Sequence, residues 1–132
     1  MEAHQDMNRE SEKMLACKIW AVVGANQDPQ KYGNMIYRRL KDRGYRVYAV
    51  NPNYQTVDGD KCYENLASLP ETPEVLDMVV SPKYGIAAIE EAAGLGIKNI
   101  WLQPGAYNDE LLGIIAKRGL NAVQACVLVA LG

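Results

Sequence analysis

The chain has 132 residues, 48% of them apolar and 23% charged, with a net charge of -2 at pH 7, a balance that fits one folded domain and excludes a disordered or fibrous chain. Its 14 basic residues are matched by 16 acidic ones, so the broad basic surface that a phosphate backbone requires is not expected, and nucleic acid is excluded as a partner. The longest apolar run, Ala125 to Leu131, falls far short of the roughly 20 residues of a membrane span, so no membrane partner is expected. Cys17, Cys62 and Cys126 form neither a C-x-x-C pair nor an even disulfide framework. The start Met1-Glu2-Ala3-His4-Gln5-Asp6 lacks the basic and apolar regions of a secretory signal. Both features point to a reducing, cytoplasmic setting.

Residues 1–16 are polar, carry most of their charge in Arg9-Glu10-Ser11-Glu12-Lys13, and read as an N-terminal extension, either a loose tail or an added amphipathic helix. The domain proper is expected over 17–132. Ile19-Trp20-Ala21-Val22-Val23 is a continuous β-rich apolar run ending at Gly24, the pattern of a strand buried on both faces of a parallel sheet. A helix starting near Gly33-Asn34 places Ile36 and Leu40 on one face and stops at Gly44. Tyr45 to Val50 reads as the second strand, ended by Asn51-Pro52. The segment 53–76 is the least regular, with an Asp58-Gly59 turn and a short helix or turn near Glu64–Leu69.

Leu76 to Val80 is the expected third strand, ended by Ser81-Pro82, and the helix after it carries Ile86, Ile89 and Ala93 on one stripe. Lys98 to Leu102 is the fourth strand. The last helix has Asn108 as N-cap, Asp109 and Glu110 in its first turn, Leu111 and Ile115 facing inward, and Gly119 at its exit. Residues 120–131 are expected to supply a fifth strand. Strands alternating with helices imply right-handed crossovers. The fold class is therefore α/β, a Rossmann-like open parallel sheet of about five strands in the order 3-2-1-4-5 with helices on both faces. Ligands of such sheets sit beyond the carboxyl ends of the strands, beside the first one.

Gly24-Ala25-Asn26, Asn51-Pro52, Ser81-Pro82 and Gln103-Pro104-Gly105 converge on that edge. Gly24 permits a sharp turn, and the run to Gly33-Asn34 delivers free backbone N–H groups at a helix N-terminus, a natural anion site, with Lys31 as a nearby cation and Tyr32 able to cover a flat ring. The glycines read equally well as turn glycines alone; the topological position favours binding. Two absences weigh against a nicotinamide site: Gly24-Ala25-Asn26 begins no G-x-G-x-x-G, and no acid follows the second strand to hold the ribose hydroxyls. NAD(P) is the runner-up cofactor.

Catalysis has little raw material. His4 is the only histidine and lies in the extension, so no imidazole base, Ser-His pair or multi-histidine metal site is expected in the core. Ser81 reads as a turn or cap residue, and Cys126, in an apolar run, as packing. Neither catalytic residues nor a metal site are assigned.

Taken together, Val23-Gly24-Ala25-Asn26, Lys31-Tyr32-Gly33-Asn34, Gly44 to Pro52 and Ile100-Trp101-Leu102-Gln103-Pro104-Gly105-Ala106 resemble the small stand-alone CoA-binding protein family, which is similar to the CoA-binding domain of the succinyl-CoA synthetase alpha chain. The resemblance runs from residue 17 to about 125. It implies that the loop Gly24 to Asn34 grips the phosphates of coenzyme A, with Asn51-Pro52 and Val80-Ser81-Pro82 bordering the nucleotide and its arm. Asn26 departs from the serine or threonine common in the family, Tyr54 falls near where synthetase relatives place a lysine, and the ending after Cys126 is less polar than theirs. The synthetase chain takes its catalytic histidine from a second domain, so the expectation is binding of coenzyme A or an acyl-CoA without catalysis. The alternatives are an NAD(P)-binding oxidoreductase or CoA-dependent transferase subunit that needs a protein partner, and a regulatory subunit that responds to cofactor through association, as a homo-oligomer or with an unknown protein partner.

Overall fold

The computed structural model describes residues 2–132, with side chains from residue 8 onward, so His4 lies outside the described side chains. A first helix, α1 (Glu2–Ala16), precedes β1 (Ile19–Val23), α2 (Tyr32–Asp42) and β2 (Arg46–Val50). A hairpin of β3 (Thr56–Val57) and β4 (Asp60–Tyr63) follows, then a short turn of 3-10 helix at Leu66–Ser68. The chain continues through β5 (Val75–Met78), α3 (Pro82–Gly94), β6 (Asn99–Leu102), α4 (Asp109–Lys117), β7 (Asn121–Gln124) and α5 (Val127–Leu131).

The Rossmann-like architecture is as expected, but the strand count and order need correction. The sheet has seven strands in the order β3-β4-β2-β1-β5-β6-β7, not five. The expected third strand, β5, lies beside β1 on the side away from β2. Its expected place next to β2 is taken by β4, which pairs parallel to β2 through Ala49 with Cys62 and Val50 with Tyr63. The turn Asp58-Gly59, with positive φ of 52° and 79°, makes the tight two-residue hairpin that suits the natural strand twist and brings the chain back to fill that position. The hairpin is tied to α2 by the Tyr37 hydroxyl, which donates to Asp60 Oδ2 at 2.7 Å, and by Lys41 Nζ, 2.8 Å from the same carboxylate.

The expected fifth strand over 120–131 is likewise shortened. β7 ends at Gln124 and the apolar tail turns into α5. The Trp101 indole N–H donates to the Ala125 carbonyl at 2.9 Å, and the Val127 N–H donates to Gln103 Oε1 at 3.1 Å. These bonds from β6 and its exit hold the chain where it turns away from the sheet.

Alternation along the central strands divides the core. Trp20 and Val22 of β1 face α2 (Ile36, Tyr37, Leu40), Met14 of α1 and Val127 of α5. Ala21 and Val23 face α3 (Ile89, Ala92) and α4 (Leu111, Ile115). Helices thus cover both faces, which leaves the strand ends as the accessible part of the sheet. Asn108 caps α4, its side chain accepting from the Leu111 N–H at 2.9 Å. Asn108→Ala is expected to lower stability by about 1 kcal/mol, seen as a lower urea midpoint at unchanged slope.

One core residue breaks the apolar pattern. Asp77 lies in the middle of β5, paired in register with Val22 on one side and Trp101 on the other. It is fully buried, and neither carboxyl oxygen has a hydrogen-bond partner among the described residues. Burial raises its pKa well above the usual carboxylate range.

Candidate functional site at the carboxyl edge of the sheet

β1, β2, β4, β5 and β6 run parallel, so their carboxyl ends meet at one edge, and the loop after β1 lies at its centre. Gly24 turns the chain there with φ of 99°. Its N–H donates to the Val50 carbonyl at 3.0 Å, and a Cβ on it would stand 2.7 Å from Val80 Cγ1. Gly33 has a different task. A Cβ there would lie 2.1 Å from the Gly24 carbonyl oxygen, so a hydrogen at this position is what lets the first turn of α2 rest directly on the end of β1.

The ten-residue span from Gly24 to Gly33 is held by side chains. Asn26 Oδ1 accepts from the Asp28 N–H at 2.8 Å, and Asp28 Oδ1 accepts from the Gln30 N–H at 2.9 Å. Asn34, only 2% exposed, donates through Nδ2 to the Asn26 carbonyl at 2.9 Å and accepts from Arg38 Nε at 2.7 Å. Asn51 Nδ2 donates to the Ala25 carbonyl at 2.9 Å, and Asn51 Oδ1 accepts from the Asn53 N–H. The loops after β1 and β2 therefore form one bonded unit. Lys31 is the N-cap residue of α2, extended at φ -90° and ψ 148°, with no side-chain cap and no acid in the first helical turn. An uncapped helix N-terminus with a lysine beside it is electrostatically suited to an anion.

A cleft of about 570 Å³ opens beside this loop on the α3 side, lined by Gly24, Asn51, Pro52, Glu64, Val80 and Tyr84 among others. Its inner wall is apolar, with Val23, Val50, Leu66, Ala87 and Ala88. Tyr84 is 66% exposed at its rim. On the opposite face of the sheet a smaller hollow of about 240 Å³ is lined by Tyr32, Ile36, Val79, Gln103, Pro104 and Cys126. The glycine loop and the N-terminus of α2 separate the two.

The sequence-derived residues are distributed over this edge in distinct positions. Gly24, Asn51, Pro52 and Val80 line the larger cleft, and Tyr32, 65% exposed, borders the smaller hollow. Asn26 and Lys31 lie on the loop between them. Ala25 and Asn34 are buried supports of that loop. Ser81 is the N-cap residue of α3 and Pro82 its first helical residue, beside the cleft but outside its lining. Sequence reasoning missed Asn53, Glu64, Asn65, Tyr84 and Glu91, which complete the cleft. Glu91 of α3 fastens its outer wall, accepting from the N–H groups of Leu66 and Ala67 at 3.1 and 3.2 Å. The Asp58-Gly59 turn was the available signal for Glu64, because it returns the chain alongside β2.

The family profile described as a CoA binding domain matches residues 18–132. The chain is 29% identical over 122 residues to an ADP-forming acetate–CoA ligase I from Archaeoglobus fulgidus, across 85% of this chain and 18% of that protein. It is 27% identical over 114 residues to the alpha subunit of the ADP-forming acetate–CoA ligase II from Pyrococcus furiosus, across 78% of this chain and 25% of that subunit. The chain thus spans a quarter or less of the length of these two relatives. A solved structure of a hypothetical protein from Pyrococcus horikoshii OT3 superposes with a TM-score of 0.83 at 34% identity, covering 90% of this chain and 84% of that one. It also matches the present chain in size.

Proposed function

This chain belongs to the CoA binding domain family, and we propose that it binds coenzyme A or an acyl-CoA along the carboxyl edge of its sheet, without catalysis of its own. In this reading the nucleotide end enters the larger cleft against Pro52 and Val80. The pyrophosphate lies at Gly24–Asn26 and the N-terminus of α2, near Lys31. The pantetheine arm crosses toward Tyr32, Gln103 and Pro104. The observation that carries the reading is the contact of Gly33 with the Gly24 carbonyl. It sets an uncapped helix N-terminus at the rim of an apolar cleft, as a ligand with a flat base, a pyrophosphate and a long arm requires.

A second reading draws on the relatives' length: as ligases several times longer, they favour a protein partner that supplies chemistry to this module. Turnover of an acyl-CoA by this chain alone would contradict the non-catalytic part of the proposal.

The test is a thermal-shift titration. A ligand that binds only the native state adds about 2.7 kcal/mol at 100 times its dissociation constant, which gives a clear rise in Tm with CoA. Gly24→Val is expected to remove that rise, measured against its own unliganded baseline, because the added side chain meets Val80 and a β-branched residue resists φ of 99°. Lys31→Ala is expected to weaken binding and flatten its salt dependence. No shift with either CoA or its 3′-dephospho form, or unchanged shifts in both variants, would overturn the assignment.

A further inference from the structure

In doubly wound sheets the residue at the carboxyl end of the second strand meets the ribose of a bound nucleotide: an acid there accepts from free ribose hydroxyls, and a cation accommodates a ribose phosphate. β2 of this chain ends in Asn51-Pro52-Asn53 and has no acid. The neighbouring strand supplies one. Tyr63 of β4 pairs with Val50 in parallel register, and the Asn51 N–H donates to the Tyr63 carbonyl at 2.8 Å. Glu64 therefore emerges beside Asn51 at the same edge, exposed, and lines the cleft together with Asn53 and Asn65. Glu91, the other acid of the lining, is engaged with the Leu66 and Ala67 N–H groups. Among the described residues that line the cleft, none is lysine or arginine. Lys61 and Lys83, on the flanking segments, stand over the rings of Tyr63 and Tyr84 at 5.0 and 5.7 Å.

We propose that this wall selects a nucleotide whose adenosine ribose carries free hydroxyls, with Glu64 as the specificity-determining carboxylate, so that 3′-dephospho-CoA binds more tightly than CoA. The inference rests on the reading that the cleft takes the nucleotide end of a CoA-type ligand. The amides of Asn53 and Asn65 and the Glu64 carboxylate can exchange hydrogen bonds with hydroxyls. A 3′-phosphate would instead bring two further negative charges against Glu64 with no lining cation to meet them. Such discrimination acts mainly by repulsion of the wrong ligand, and it weakens with salt because the carboxylate is exposed.

Calorimetric titration at low salt with two ligand pairs, CoA against 3′-dephospho-CoA and NADP against NAD, tests it, since each pair differs by one ribose phosphate. The expected result is a dissociation constant for 3′-dephospho-CoA at least tenfold below that for CoA. Glu64→Gln should narrow the gap and Glu64→Lys should reverse it. Equal or tighter binding of CoA by the wild-type protein overturns the inference, and a preference unmoved by either variant overturns the role of Glu64. Binding of the nicotinamide pair alone overturns the CoA reading, and the order of NAD and NADP then decides the ribose inference separately. Binding of none of the four overturns both.

Discussion

Gly33→Ala is expected to destabilise the protein by about 3 kcal/mol and to abolish CoA binding, although alanine is the better helix former. The gain in helix propensity is at most about 1 kcal/mol. Against it stands a Cβ placed 2.1 Å from the Gly24 carbonyl oxygen, 3.1 Å from its carbon and 3.2 Å from the Asn26 nitrogen. All three are backbone atoms of a loop fixed by Asn34 and Asn51, so no flexible side chain can yield. The first turn of α2 must lift off β1, which is an overpacking defect of the larger kind. The N–H groups of the first turn of α2 move with it. Urea unfolding gives the stability change and calorimetry the loss of affinity. Wild-type stability with wild-type affinity would show that the strand-to-helix contact is not what shapes the loop.

Asp77→Val is expected to act in the opposite direction, raising stability at pH 7 by about 2 to 4 kcal/mol, because a buried carboxyl without a hydrogen bond is among the more costly groups a core can hold. Its pH dependence gives a second signature. Burial raises the folded-state pKa of Asp77 above that of the unfolded chain, so the folded state holds a proton that the unfolded state releases from about pH 4 upward. This group's contribution is therefore most favourable below the unfolded pKa and declines as pH rises, until the folded carboxyl itself ionises. The valine variant should gain on the wild type progressively as pH is raised from about 4, with little further change once the folded carboxyl has ionised. A stability difference that stayed constant or shrank as pH rose would mean that Asp77 has a partner in solution.

Much of this architecture is written locally. Ile19–Val23 and Ile100–Leu102 are apolar runs with little alternative to a central parallel strand, and Asn108, Asp109 and Gly119 mark α4 at both ends. Asp60-Lys61-Cys62-Tyr63 is not written in this way. Its only buried side chain is Cys62, and it becomes a strand because the Asp58-Gly59 hairpin returns it to the exposed edge of β2. That one tertiary event changes the strand order and delivers Glu64 to the site. The C-terminal run is a different case. Its β-branched, apolar residues suit a strand, yet Trp101 and Gln103 engage the backbone at Ala125 and Val127 and direct it into α5.

The site shows the same division between local and tertiary information. Gly24 and Gly33 are legible because a turn and a close approach demand glycine. Asn51 and Pro52 follow from the end of a recognisable strand. Asn34 is a polar residue at a loop-to-helix junction, a position that suggests ligand contact, but both its amide and its carbonyl are spent on Asn26 and Arg38. Tyr84 lies on α3, two residues beyond Pro82. Only the packing of α3 against the sheet brings it to the cleft rim.

The loop from Gly24 to Asn34 and the end of β2 form the proposed site for a CoA-type ligand. Amide NMR during a titration with 3′-dephospho-CoA tests it most directly. Saturable shifts are expected at Gly24, Asn26, Gly33, Asn51, Asn53 and Val80, with the amides at the opposite end of the sheet, Gly119 at the α4 exit and Asn121 at the start of β7, unmoved. Shifts confined to elements away from the carboxyl edge, or none at a concentration that saturates the thermal response, would contradict it.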